Sequence, residues 1–479
     1  MRRIPARPLA LPRDPATLRT LADQALSRTA GAPLVGGNAV RVLRDATENY
    51  PAWEHAIRHA TVSIHIEMYI FHFDVVGRQF VELLAAKARE GVAVRVVYDW
   101  FGCGLAPVRG LFRPLLAAGG EVRVFNPPGL RSALGWVRRN HRKLVTVDGR
   151  VAFVSGLCIG LVWQGQPARG LEPWRDTGVE IMGPAVAHAE ASFAESWRLA
   201  GGSAADVLLM MPPTPEEAGS VYLRLIPTEP FTGNLLRLDL FIASLARERL
   251  WITDAYFIST GPYLEALKRA AHDGVDVRLL LPKNSDVNWT VPVSRSLYRP
   301  LLEAGVRIFE WNGTMIHAKT AIADSRWGRV GSTNLNLNSW IGNWEMDVAI
   351  EDASVSRTLE AHFEEDLGRS TEIVLSTVPN AGRPAPSSLT SVAPRRYRAS
   401  RRLVRTMTGV SRSLGAAVTG NRPLESFEAM PLVAAGALLV VVSAVAFVTP
   451  WLIAWPLAVL GVWIAVTLLV EAWKLRDKS

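Results

Sequence analysis

Two stretches decide how this chain is read: His141-Arg142-Lys143-Leu144-Val145-Thr146-Val147-Asp148-Gly149 and His317-Ala318-Lys319-Thr320-Ala321-Ile322-Ala323-Asp324. Each is a His-x-Lys pair followed, after four more residues, by Asp. Lysine is scarce: only seven of the 53 basic residues are Lys, and two of the seven fall in this pattern. Residues two apart on a strand face the same side, so each motif presents an imidazole and an ammonium together. The apolar runs around Asp148-Gly149 read as a β-hairpin with a two-residue turn. The second hairpin reads as having a longer turn, from Asp324 to Gly328. Asp148, Gly149 and Asp324 fall at these turns, where the acids are expected to brace the hairpin rather than share the His/Lys face.

Working outward, the context of the two motifs also repeats. Val62 to Ile70 reads as a strand, Phe80 to Ala88 as a helix, and Gly91 to Asp99 as a second strand. Leu250 to Phe257, Tyr263 to Ala271 and Gly274 to Leu280 repeat that order, each time with a Gly-Val pair restarting the strand. This is βαβ grammar. Arg113-Pro114-Leu115-Leu116 is answered by Arg299-Pro300-Leu301-Leu302 in the same way. Two copies mean a duplicated α/β domain rather than a solenoid.

A same-face His/Lys pair is a poor metal site, because an ammonium has no lone pair to donate. It is a good phosphate site, and no metal or other cofactor is expected. Two pairs brought together across a pseudo-twofold axis would surround one phosphodiester. One His could attack phosphorus while the other protonates the leaving oxygen, and Lys143 and Lys319 would stabilise the non-bridging oxygens. Each imidazole needs an acceptor to set its tautomer; Asp176 and Glu345 lie at similar distances downstream of the two motifs. His65, His72, His188 and His362, like Lys87, Lys268 and Lys283, have no such partners and read as structural or surface residues.

At 479 residues the chain has room for two or three domains, and a net charge of +9 suits an anionic partner, nucleic acid or acidic lipid. Cys103 and Cys158, the only cysteines, exclude a disulfide framework and a thiolate zinc site and favour a reducing compartment. The N-terminus lacks the apolar core of a signal peptide. Residues 378–394 read as a linker rich in Pro, Ser, Gly and Thr, and an acid-free Arg block, Arg395 to Arg412, follows. Between Glu428 and Glu471 lie 42 residues without Asp, Glu, Lys or Arg. That fits two crossings of a bilayer core, each about 20 residues, turning at Pro450 and Pro456, with Trp451 and Trp455 at an interface. A single span plus a re-entrant helix is the alternative. Basic residues at both ends place those ends on the cytoplasmic side, and the Arg block against anionic head groups rather than nucleic acid.

The paired motifs resemble those of the phospholipase D superfamily over about residues 62–370. Within it the chain is most similar to bacterial cardiolipin synthases, on the stretch His141 to Arg150, Pro173-Trp174-Arg175-Asp176, Gly183-Pro184-Ala185-Val186 and Gly331-Ser332-Thr333-Asn334. The resemblance implies two pseudo-symmetric α/β half-domains with mixed central sheets, here joined to a C-terminal transmembrane helical hairpin. The layout expected is an extension (1–45), a first half (46–205), a second half (206–376), a linker and Arg-rich segment (377–428), two membrane helices (429–471) and a basic tail (472–479). It also implies a phosphohistidine on His141, with His317 as general acid and then base. Asp176 would orient His141, Glu345 would orient His317, and Asn334 and Ser332 would contact phosphate. In the first half, Cys158 stands where the family usually has a second Asn. The implied reaction forms cardiolipin from phosphatidylglycerol or a second phospholipid, at the cytoplasmic face of a bacterial cell membrane. A hydrolytic phospholipase D, a superfamily nuclease and a non-catalytic lipid-binding protein are the alternatives.

Overall fold

Both βαβ units form where the sequence places them. In the first, β2 (Ser63–Met68) and β3 (Ala93–Asp99) run parallel, joined by the helix Val75–Arg89. That helix buries Val76, Phe80, Val81 and Leu84, a stripe at helical spacing, and starts where the Asp74 carboxylate accepts the Gly77 N–H. In the second, β9 (Arg249–Thr253) and β10 (Asp276–Pro282) run parallel, joined by the helix Gly261–His272, which buries Tyr263, Leu267 and Ala270. The computed structural model describes residues 15–128, 138–212 and 216–375, with isolated positions 455, 458, 462, 463, 465 and 466.

The remaining strands are β1 (Val35–Arg44), β4 (Glu121–Phe125), β5 (Lys143–Val147), β6 (Val151–Ser155), β7 (Thr177–Met182), β8 (Val221–Thr228), β11 (Arg307–Trp311), β12 (Thr320–Ala323), β13 (Trp327–Gly331), β14 (Glu345–Glu351) and β15 (Ser370–Ile373). They lie in one mixed sheet, ordered β15-β11-β10-β9-β12-β13-β14-β8-β1-β7-β6-β5-β2-β3-β4. The order reads alike from the centre in both directions, with β1, β7, β6, β5, β2, β3 and β4 matched by β8, β14, β13, β12, β9, β10 and β11. The pseudo-twofold therefore passes between the antiparallel strands β1 and β8. The halves share one sheet, and a buried apolar cluster runs through both, from Val154 and Phe193 to Met346 and Phe363.

The stretch before residue 46 is built into this frame: the helix Pro15–Ala30 precedes β1, which pairs with β7 on one side and β8 on the other. Both hairpins close with three-residue turns, Val147 pairing with Val151 and Ala323 with Trp327. The two-residue turn and the longer second turn expected from sequence are thus both corrected. Trp327 is drawn into β13 because its indole packs in the second-half core. Of the C-terminal hairpin, the linker and Arg block before it and the basic tail, only those six isolated positions fall within the described residues. No helix among the described residues is long and apolar enough to cross a membrane.

Candidate active site

His141 lies two residues before the hairpin strand β5, and His317 three residues before β12. The hairpins are held from the far end. Asp148, at φ 54°, accepts the Thr61, Val62 and Ser63 N–H groups, and Asp324, at φ 51°, those of Arg247, Glu248 and Arg249. These acids lock each hairpin to the start of its neighbouring strand, and neither reaches the histidines.

The histidine loops are then fixed by the opposite half. His141 N–H donates to Trp344 O (2.8 Å) and Trp344 N–H to Arg139 O (2.9 Å); His317 N–H donates to Arg175 O (2.7 Å) and Arg175 N–H to Met315 O (2.9 Å). The carboxylates follow the backbone across. His141 Nδ1 lies 2.8 Å from Glu345 Oε2, and His317 Nδ1 lies 2.7 Å from Asp176 Oδ2. The expected same-half pairing, Asp176 with His141 and Glu345 with His317, is therefore corrected. Asp176 immediately precedes β7 and Glu345 opens β14, the strands flanking the central pair, so both acids stand near the axis and meet the histidine of the other half. Arg142 and Arg175, both buried, secure the crossing. Arg142 Nε donates to Glu345 O (3.1 Å), and Arg175 Nε to the Asp366 carboxylate (2.9 Å).

His141, Lys143 and His317 open into one cavity of about 630 Å³, lined also by Tyr69, Cys158, Trp163, Trp174, Tyr256 and Asn334; Lys319 lies buried behind His317. Burial pushes the His141 imidazole down to about 4; nearby Lys143 adds to this and Glu345 opposes it. Burial and Lys319 likewise lower His317, against the pull of Asp176. The two carboxylates stay ionised: burial would raise them, but the facing imidazoles and lysines hold both below the usual range. Each imidazole is thus neutral near pH 7, donates Nδ1–H to a carboxylate and carries its lone pair on Nε2. Burial also pushes Lys319 down to about 8, with Lys143 adding to the shift and Asp176 opposing it. Lys319 Nζ lies 2.9 and 3.0 Å from the two ring nitrogens of His317, whereas Lys143 Nζ donates to His141 O (2.6 Å).

Ser332, expected at the phosphate, is fully buried and donates its hydroxyl to Glu345 Oε2 (2.6 Å), so it buttresses the acid instead. Asn334 lines the cavity, and among the described residues its amide oxygen has no protein partner. Cys158, on the first-half wall, is buried, and burial raises its thiol, leaving a small apolar surface beside Lys143. Four aromatic residues were missed from sequence. Tyr69 packs 4.7 Å from His141 and Tyr256 5.9 Å from His317, ring centre to ring centre, each also beneath its lysine ammonium. Their signal was in the repeat, because each follows the first strand of its βαβ unit. Trp163 and Trp174 wall in His317, and Trp163 Nε1 donates to Asp176 Oδ2 (3.3 Å).

The profile described as "Cardiolipin synthase, PLD-like domain" matches residues 54–160 and 242–367, one segment in each half. A cardiolipin synthase A of Pseudomonas syringae is 34% identical over 360 residues, 73% of both chains. The chain belongs to the phospholipase D-like cardiolipin synthase family. A cardiolipin synthase of Alkalihalophilus pseudofirmus is 32% identical over 354 residues, 73% of this chain and 70% of the relative. A probable cardiolipin synthase of Bacillus subtilis is 34% identical over 344 residues, 70% and 67% respectively. Family membership makes the protein a phospholipid transferase of the phospholipase D type. In fold it is similar to the phosphatidylserine synthase of Haemophilus influenzae, with a TM-score of 0.55 at 13% identity over 73% of this chain and 91% of that one.

Proposed function

We propose that the enzyme joins two phosphatidylglycerol molecules into cardiolipin and glycerol through a phosphohistidine at His141. His141 Nε2 attacks the donor phosphorus, the bond from phosphorus to the glycerol headgroup oxygen breaks, and His317 delivers a proton to that oxygen. The headgroup hydroxyl of the second lipid then attacks phosphorus while His317 takes its proton. The phosphorus–nitrogen bond breaks and its electron pair returns to His141. Lys143, Lys319 and the Asn334 amide hold the non-bridging oxygens, Glu345 stabilises the charge that grows on His141, and Asp176 does the same for His317. The anionic phosphodiester itself favours the protonated His317 that the first step needs.

The observation carrying this reading is that two imidazoles, each held by a carboxylate of the other half, share one cavity with the Lys143 ammonium, while the Lys319 ammonium lies 3.0 Å from His317 Nε2. His141 is favoured as nucleophile because, among the described residues, its Nε2 has no hydrogen-bond partner, whereas an ammonium lies 3.0 Å from that of His317. We assign residues 429–471 as the anchor, with both halves at the cytoplasmic face of a bacterial cell membrane. The test is full-length protein in mixed micelles with labelled phosphatidylglycerol. Cardiolipin and glycerol in equal amounts, lost in His141→Ala and His317→Ala, is the expected result. Phosphatidic acid without cardiolipin would mean hydrolysis, and no turnover would overturn the proposal.

A further inference from the structure

We propose that the rim of the active-site cavity is itself a bilayer-docking surface, so that the mouth opens directly onto lipid. Trp289 and Leu337 line the cavity yet are 62% and 55% exposed. Phe231 is 71% exposed; its N–H donates to Ile341 O (2.8 Å), three residues after Asn338 in the lining, and the Arg138 guanidinium lies 4.4 Å above its ring. Phe101 is 61% exposed and sits 5.8 Å from the guanidinium of Arg139, another lining residue. Single exposed apolar residues are ordinary on a soluble surface. Here four large ones come from four separate loops, after β3, β8, β10 and β13, and from both halves, and they converge on one opening. Such a patch marks an interaction site.

Its chemistry selects the occupant. Aromatic side chains beside an exposed arginine, Arg138, suit the boundary between head groups and acyl chains, and its guanidinium suits phosphate, whereas Arg139 is buried and pairs with Asp99 (3.1 Å). A phospholipid transferase must draw a head group into its cavity while the acyl chains stay out of water, and an apolar rim around the mouth lets that happen without lifting the lipid from its bilayer. The opposite end of the sheet makes a built-in control. Leu209 is 82% exposed and lies beside the segment Met211-Pro212, which packs against the Asp148–Gly149 turn, at the end of β5 remote from Lys143.

The test uses full-length protein reconstituted in vesicles of equal parts phosphatidylglycerol and phosphatidylethanolamine. Single cysteines are introduced by Phe101→Cys, Phe231→Cys or Leu209→Cys and labelled with an environment-sensitive fluorophore; the native cysteines are buried. The probes at 101 and 231 are expected to shift to the blue and be quenched by lipids spin-labelled near the head group, and the probe at 209 is not. Equal quenching at all three positions, or shielding of 101 and 231 that rises with protein concentration without vesicles, overturns the proposal. The readout needs no turnover, so it stands or falls separately from the reaction proposed above. As a second arm, Phe101→Asp with Phe231→Asp is expected to raise the apparent KM for vesicle substrate by about tenfold or more at unchanged kcat. A loss confined to kcat contradicts docking.

Discussion

Because the carboxylates cross between halves, Glu345→Gln and Asp176→Asn should disable different steps. Glu345 lies 2.8 Å from His141 Nδ1, and the amide keeps the shape and an acceptor oxygen but removes the charge. When His141 attacks phosphorus its ring becomes cationic. An imidazolium and a carboxylate with charge centres about 4 Å apart attract by about 4 kcal/mol at an effective dielectric of 20. Losing that attraction slows formation of the phosphohistidine by about a thousandfold. Asp176→Asn weakens His317 by a similar amount, but only where a proton must move. The assay is rapid quench with two donors, phosphatidylglycerol and a phosphatidyl ester of p-nitrophenol, whose leaving group needs no protonation. Asp176→Asn should form the intermediate slowly from the first donor and nearly normally from the second, matching His317→Ala. Glu345→Gln should be slow with both, nearer to His141→Ala. If Asp176→Asn instead tracks His141→Ala, the crossed relay has no functional meaning.

Other outcomes follow from the same geometry. The rate should be bell-shaped in pH. The acid limb comes from His141, which must be neutral, so activity is retained below the ordinary imidazole range and lost as pH falls through about 4. The basic limb begins with His317, which must carry a proton for the first step and which burial and Lys319 push below the ordinary imidazole range. It steepens as the Lys319 ammonium is lost through about 8, and Lys319→Ala should remove that second loss along with most of the activity. Asp148→Ala, which strips the acceptor from three N–H groups leading into β2 in a partly exposed setting, should cost about 2 kcal/mol in denaturant unfolding, with activity kept where the protein stays folded. Cys158→Asn should restore an amide to the first-half wall and change KM for the donor more than kcat, whereas Asn334→Ala should lower both.

The duplication was legible because its signals are local: a Gly-Val restart, a turn acid and a His-x-Lys pair all lie within a few residues of one another. The role of Asp148 as a brace could be argued from spacing alone, since a residue at a turn cannot face the way its strand does. Fusion of the halves into one sheet was not legible, because β1, which closes it, lies in what reads as an extension and pairs with strands far along the chain. The same limit misled the assignment of the acids. Sequence distance favours partners within a half, whereas the axis between β1 and β8 brings Glu345 to His141 and Asp176 to His317. Ser332 was misplaced for a smaller reason: in a motif of small polar residues, sequence does not show which side chain faces the cavity and which faces the carboxylate behind it.

Covalent transfer through His141 is the central claim, and trapping the intermediate tests it most directly. Full-length enzyme would be mixed with phosphatidylglycerol labelled in its phosphate, quenched in base within the first turnover, and digested for peptide mapping. The account predicts label that survives alkali, is lost in acid, maps to the peptide carrying His141 and is absent from His141→Ala. Label on the His317 peptide, or turnover without any labelled histidine, would contradict it.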